Sequence, residues 1–300
     1  MLNFQSKRDQ TKRKLQHQKT KTNTTRGFTL LELIIVIIIL GVMAVGISGF
    51  ITLTTQTYLN VSERDDLLSS ARFAVERLNR EIRNAVPNSI RVENDTARQC
   101  LEFVPIVAST IYTDVPVSPE PGRLEVLVIP FQEGNADYSC PAICQDKVVV
   151  YPLTSDDVYV QDLFSGTGKA FSLNIFSPPV GLNEWSLPLL KPFSVDTITF
   201  EQDSPTKRLY IFKDPVSYCV DSGELIRYEG HSFSSTQILK PTSSKAIMAE
   251  NIAAINLGDL PFTIQPASLQ RNALVQIKLQ FNRDGENIVF NNEVHLNNVP

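Results

Sequence analysis

The chain has 300 residues, 42% of them hydrophobic and 20% charged. That is an ordinary globular composition, long enough for one domain of usual size or two small ones, and it excludes a chain disordered throughout. The net charge of −4 conceals an asymmetry: residues 1–27 hold eight Lys or Arg and one acid, Asp9, so residues 28–300 hold twenty bases and thirty-one acids, a net of −11. A body that acidic repels a phosphate backbone, which argues against nucleic-acid binding. The three histidines are His17, His231 and His295, too few for a His-rich metal site.

In chain order, residues 1–26 are rich in Lys, Gln and Thr with no apolar periodicity, the composition of a solvated tail. Leu33–Leu53 is almost wholly apolar, and the first charge after Glu32 is Glu63. Twenty-one residues at about 1.5 Å each reach roughly 30 Å, the hydrocarbon thickness of a bilayer. Basic charge on the N-terminal side alone predicts a cytoplasmic N-terminus and a translocated body. The run is long for a secretory signal, and no clean small-x-small cleavage motif follows it. Glu32, a carboxylate at the head of the run, separates this segment from a plain anchor, because an ionisable group there costs free energy.

The junction reads Arg26-Gly27-Phe28-Thr29-Leu30-Leu31-Glu32-Leu33. It resembles the prepilin signature of the type IV pilin family, which includes minor pilins and type II secretion pseudopilins. The resemblance covers about residues 28–60. It implies that a prepilin peptidase cuts between Gly27 and Phe28 on the cytoplasmic side and N-methylates Phe28. The leader's positive charge, ending at Arg26, holds it in the cytoplasm. Gly27 has no side chain, so its backbone fits a tight protease site. Glu32 becomes the fifth mature residue and, by the resemblance, neutralises the terminal amine of an adjacent subunit during assembly. The leader of 27 residues is long for the family.

Beyond Leu53, Val61, Leu68, Ala71, Val75, Leu78, Ile82 and Ala85 recur in steps of three, four and seven, which predicts one face of a helix running from 28 to about 86. Glu76 with Arg80 and Arg77 with Glu81 are spaced for ion pairs on its outer face. Pro87 ends it. Gly41, Gly46 and Gly49 suit close helix packing in a membrane.

From residue 88 the pattern is that of strands: 100–107, 123–130, 147–151, 195–201, 207–213, 216–220, 224–228, 273–282 and 287–296. Ser222-Gly223 and Asp284-Gly285 read as hairpin turns. Residues 247–255 fit helix or strand. Residues 108–122 and 177–193 carry prolines and read as exposed loops. The fold class expected is α+β, a long apolar helix whose second half packs on an antiparallel β-rich domain. The expected divisions are 1–27, a cleaved leader; 28–53, the transmembrane or filament-core half of the helix; 54–87, its amphipathic half; and 88–300, a periplasmic domain. Residues 71–92, Cys100-Leu101-Glu102-Phe103-Val104-Pro105, Val216-Ser217-Tyr218-Cys219-Val220 and Glu293-Val294-His295-Leu296 resemble the O-type minor pilins of mannose-sensitive haemagglutinin (MSHA) pili.

Cys100, Cys140, Cys144 and Cys219 all lie beyond the anchor, in an oxidising compartment if the body is translocated. Four cysteines allow three pairings. Cys140 with Cys144 and Cys100 with Cys219 is the favoured one; a zinc site is the rival, weakened by one CxxxC and two isolated cysteines. No cofactor and no metal are expected. No nucleophile elbow, HExxH, phosphate loop or GxGxxG stands out, so the chain reads as no enzyme. Residues 282–287 offer oxygen ligands in a turn but lack a calcium-loop pattern. His231 reads as a surface loop residue, and Trp185 as either a contact or a core plug.

The resemblance thus implies a minor pilin, inserted in the inner membrane and later in the pilus. Its partners would be prepilin peptidase, other major and minor pilins, and the assembly platform. A type II secretion minor pseudopilin and a pilin-anchored adhesin or sugar-binding module are the alternatives.

Overall fold

The computed structural model describes residues 27–141, 143–160, 166–191, 195–256, 258–266, 273–283 and 285–296. The chain divides into two units, one ending at Ser62 and the other beginning at Glu63. Helix α1, Leu30–Arg83, has 54 residues and crosses that boundary. The strands follow in chain order: β1 (Arg91–Asn94), β2 (Arg98–Phe103), β3 (Ile106–Asp114), β4 (Glu125–Val128), β5 (Gln132–Glu133), β6 (Ala136–Asp137) and β7 (Lys147–Val150). A one-turn helix, α2 (Asp156–Tyr159), precedes β8 (Thr167–Gly168), β9 (Ala170–Ser172), β10 (Trp185–Pro188), β11 (Thr199–Phe200), β12 (Arg208–Phe212) and β13 (Val216–Asp221). The last five are β14 (Glu224–Glu229), β15 (Ser244–Ala249), β16 (Phe262–Gln265), β17 (Leu274–Arg283) and β18 (Glu286–His295). A long apolar helix followed by antiparallel sheets is the α+β layout that the sequence leads one to expect.

In the first unit every described residue is exposed, from Gly27 to Ser62. Helix is the form that satisfies each backbone N–H and C=O within the segment, as a lipid phase demands. The hydroxyls toward its end are also satisfied internally. Thr52, Thr54 and Thr57 donate to the carbonyls of Ser48, Phe50 and Leu53 at 3.0, 2.8 and 2.9 Å.

In the second unit the helix buries Leu67, Ala71, Ala74, Val75, Leu78 and Ile82. The stripe begins at Leu67; Val61 is exposed and Leu68 only half-buried, so the buried face is rotated slightly from the one the spacing predicts. It packs on Leu101, Phe103 and Tyr218 of the five-stranded sheet β1-β2-β13-β14-β15, and on Ile277, Leu279 and Phe281 of the sheet β16-β17-β18. Arg77 Nε meets Glu81 at 2.9 Å, and Glu81 also takes Arg227 Nε of β14 at 3.0 Å, so this pair faces the sheet and not open solvent. Among the described residues no ion pair joins Glu76 and Arg80. The helix stops where the N–H groups of Asn84 and Ala85 fall back on the carbonyls of Glu81 and Ile82, both at 3.1 Å. The backbone then pairs sideways, Val86 N–H to Val104 C=O at 2.8 Å, ahead of Pro87.

The sheet β10-β4-β3-β12-β7-β9 holds a separate core with Tyr112, Val126, Tyr138, Val148, Leu187 and Leu209. Two expected loops are corrected here. Residues 106–114 are a strand, because Ala108, Thr110 and Tyr112 alternate inward between exposed neighbours. Residues 185–188 are another, at the sheet edge, where Pro188 costs no ladder bond. Trp185 is a core residue, 2% exposed, with its ring tilted against those of Phe131 and Phe176. Residues 244–249 settle as strand. Ser222 and Gly223 both have positive φ, 54° and 87°, closing β13 to β14 as a two-residue hairpin. Asp284 lies outside the described residues.

His231 is not a surface residue. It is 6% exposed, with Nε2 2.6 Å from Glu102 Oε1 and 3.3 Å from Ser217 Oγ. Arg91 Nε holds the other oxygen of Glu102 at 2.5 Å, and its two terminal nitrogens donate to the carbonyls of Ser234 and Ser235. The register explains the cluster: Arg91 and Ser217 are the cross-strand neighbours of Glu102 on either side. A loop after β14 brings His231 over them.

Candidate processing and assembly site

The segment Gly27–Glu32 is built around the first turn of α1. Thr29 is its cap: the N–H of Glu32 donates to Thr29 Oγ1 at 3.3 Å, and the Thr29 carbonyl accepts from Glu32 at 3.1 Å and Leu33 at 3.3 Å. Thr29-x-x-Glu32 is the capping-box spacing, and a carboxylate in the first turn also faces the positive end of the helix dipole. The cap places Phe28 immediately outside the helix, 77% exposed, with Gly27 before it.

Two features of this turn are not accounted for among the described residues. A Cβ added to Gly27 would meet nothing within 4 Å, so the fold itself does not demand glycine there. The Glu32 side chain is exposed, and among the described residues its carboxylate has no hydrogen-bond or ion-pair partner. Gly41, Gly46 and Gly49 likewise face open space. Each costs helix stability relative to Ala, about 1 kcal/mol where solvent-exposed. Arg26 lies outside the described residues.

The cysteines are placed by the sheets. Cys100 on β2 stands directly opposite Cys219 on β13, and the two are bonded and fully buried. Cys140 and Cys144 close a short loop across a sequence separation of 4. Cys140 is anchored by reciprocal backbone bonds with Phe176, both at 2.9 Å. Among the described residues no group of three or more His, Cys, Asp or Glu is placed to hold a metal ion.

Asp157 and Lys147 are among the charges of the body shifted by their surroundings. Burial pushes the Asp157 carboxyl up, but the N–H groups of Leu153 and Thr154, with Lys169, outweigh it and hold it below the usual range. Burial lowers Lys147 from the ordinary lysine value. The buried Arg91–Glu102–His231 cluster is the polar feature that sequence reading missed. Glu102 and His231 are 129 residues apart and Arg91 lies further still, and strand register together with the loop after β14 is what joins them.

α1 contains a window long and apolar enough to cross a bilayer. The model of the prokaryotic N-terminal methylation motif matches residues 22–48. No curated protein and no solved structure matches the chain. The motif indicates a type IV pilin-like protein, of a pilus or of a pseudopilus, and with it processing by a prepilin peptidase and assembly with other pilins. Proteins of that kind are structural and not enzymatic, and the apolar helix fits a membrane-anchored pilin.

Proposed function

We propose that this chain is made as a prepilin and serves as a minor pilin of an MSHA-like type IV pilus, most like the O subunit, assembling with or priming the filament. Residues 1–27 are the leader, held in the cytoplasm by charge up to Arg26. The peptidase cuts between Gly27 and Phe28 and methylates the new amine of Phe28. Residues 28–53 then form the membrane and filament-core half of the helix, 54–87 its amphipathic half, and 88–300 a periplasmic domain later carried to the cell surface. Its partners are the peptidase, the major and minor pilins and the inner-membrane assembly platform. The Cys100–Cys219 and Cys140–Cys144 bonds fit the oxidising compartment this topology gives them.

The observation that carries the reading is the Glu32 carboxylate, without a partner among the described residues, at the head of the wholly exposed apolar half of α1. In lipid a lone carboxylate is costly, and an opposite charge offsets it far more strongly than in water. Methylation leaves the Phe28 amine cationic. A neighbouring subunit at the same depth therefore brings the charge that Glu32 lacks. The glycines with open space are explained by the same neighbours, since they let helices approach closely. A type II secretion pseudopilin shares this N-terminus, and sibling prepilin genes beside a pilus ATPase would distinguish the two.

Glu32→Gln tests the charge alone, because Gln also serves at this position of a capping box. Cleavage, membrane insertion and the melting of the body should be retained. Co-purification with sibling minor pilins and the number of surface pili should fall. Normal association together with normal piliation would overturn the assembly role of Glu32.

A further inference from the structure

Among the described residues, the three-stranded sheet β16-β17-β18 ends on an unpaired edge at β18. β18 pairs with β17 at ten positions without a register shift, from Glu286 opposite Arg283 to His295 opposite Leu274. The direction of its backbone groups follows from β17. Lys278 N–H donates to Pro261 C=O at 2.7 Å, Gln280 C=O accepts from Ala253 N–H at 2.7 Å, and Asn282 N–H donates to Asn251 C=O at 2.8 Å. Those groups point away from β18, so these residues sit in non-hydrogen-bonded pairs. Their partners across the ladder are Asn291, Val289 and Asn287. The N–H and C=O groups of these three must then point outward, and among the described residues none of them bonds another backbone group.

The edges of the two larger sheets are covered or guarded. β9 and β10 meet through Asn174 N–H to Pro188 C=O at 2.9 Å and Leu190 N–H to Ser172 C=O at 2.8 Å, β1 has four residues, and β15 carries Lys245 and a register irregularity against β14. Short strands, proline, lysine and bulges are the usual devices that keep an edge from recruiting another strand. β18 has none of them in Asn287–Asn292, a stretch with neither charge nor proline. Its pleat is two-sided. Ile288 and Phe290 turn toward the core under α1, while Asn287, Val289 and Asn291 are exposed, Val289 by 50%. Glu286 is matched by Arg64 at 3.7 Å, but Glu293 has no ion-pair partner among the described residues.

We propose that the outer edge of β18 is a docking site for an extended segment of another protein, added as a further strand. Unpaired ladder groups are complemented by another extended backbone, and alternate side chains set the specificity. The incoming strand alternates apolar residues, beside Ile288 and Phe290, with uncharged polar ones, and places a cationic side chain near Glu293. A second copy of β18 does not fit, because that strand holds two Glu and neither Lys nor Arg. The inference rests on the body alone and is independent of the reading of the N-terminus.

A labelled synthetic peptide copying Leu274–Arg283 is the probe. That sequence already matches this pleat on the inner edge of β18, and it carries Lys278 and Arg283. Fluorescence anisotropy with the full chain in detergent micelles should give saturable binding, with slowed amide exchange at Asn287, Val289 and Asn291. Val289→Pro removes an N–H that the β17 ladder does not use, so the body should melt normally. The same variant should bind at least about tenfold more weakly. Glu293→Lys should also weaken binding. Absence of saturable binding would overturn the proposal. So would equal binding of a peptide methylated on alternate backbone nitrogens, a control that leaves the protein untouched. Self-association of the chain alone, abolished by Val289→Pro in sedimentation, would overturn the assignment to a different protein.

Discussion

The two halves of α1 share one backbone and differ in what their side chains meet. From Glu63 on, the helix buries one stripe, Leu67 to Ile82, and leaves Arg72, Glu76 and Arg80 in solvent. Before that, Leu, Ile and Val project on every side and none is buried. A helix apolar all round is stable only in a medium or a bundle that covers it. The second half is therefore explained by packing among the described residues of its own unit, and the first half by no such packing.

The comparison is broken most forcefully through the sheet beneath the second half. Replacing Cys100 and Cys219 together by Ala should destabilise the body by about 5 kcal/mol, since the bond closes a sequence separation of 119. Removing Cys140–Cys144, with a separation of 4, should cost only about 2 kcal/mol on the same chain-entropy argument. Chemical denaturation of the two double variants in detergent measures both. No thiol should react in the unfolded, unreduced protein, because the structure leaves no cysteine free among the described residues.

Leu78→Ala comes next. Its side chain is fully buried between helix and sheets, so the loss should be about 3 kcal/mol. Ile38→Ala, an equal or larger truncation in the apolar half, should leave the denaturation midpoint of the body within about 0.5 kcal/mol of wild type. Equal losses from the two would erase the distinction between the halves.

The pH dependence is the smallest effect. The folded pKa of Asp157 is depressed, so its contribution is present above the ordinary aspartate value near about 3.9 and is lost as pH falls through the folded value. Asp157→Asn should therefore flatten the acid limb of a melting-temperature profile below about pH 4 and change its shape little at neutral pH. An unchanged acid limb would contradict the assignment of the shift to Leu153, Thr154 and Lys169.

How much was legible follows from how local each feature is. The Arg26–Leu33 junction, the long helix and the Ser222-Gly223 hairpin each depend on a few adjacent residues, and sequence carries them. The edges of elements do not. β3 hid because prolines follow it closely, and β10 because a proline in an outer strand looks the same in sequence as one in a loop. The buried stripe starts at Leu67 and not at Val61, a limit set by what packs on the helix and encoded by no helical period. The Arg91–Glu102–His231 cluster and the opposition of Cys100 to Cys219 depend on strand register across more than a hundred residues. The bare edge of β18 is likewise a property of sheet order, invisible in a strand's own residues.

The central claim is that the first half of α1 is exposed by cleavage at Gly27 and kept for assembly. Intact-mass analysis of the chain co-expressed with a prepilin peptidase tests it most directly. The account predicts loss of about 3 kDa of the 33.5 kDa chain, a product beginning at Phe28, and the mass of one added methylene on that terminal residue. A retained leader, or a cut on the far side of the apolar run after Leu53, would contradict it.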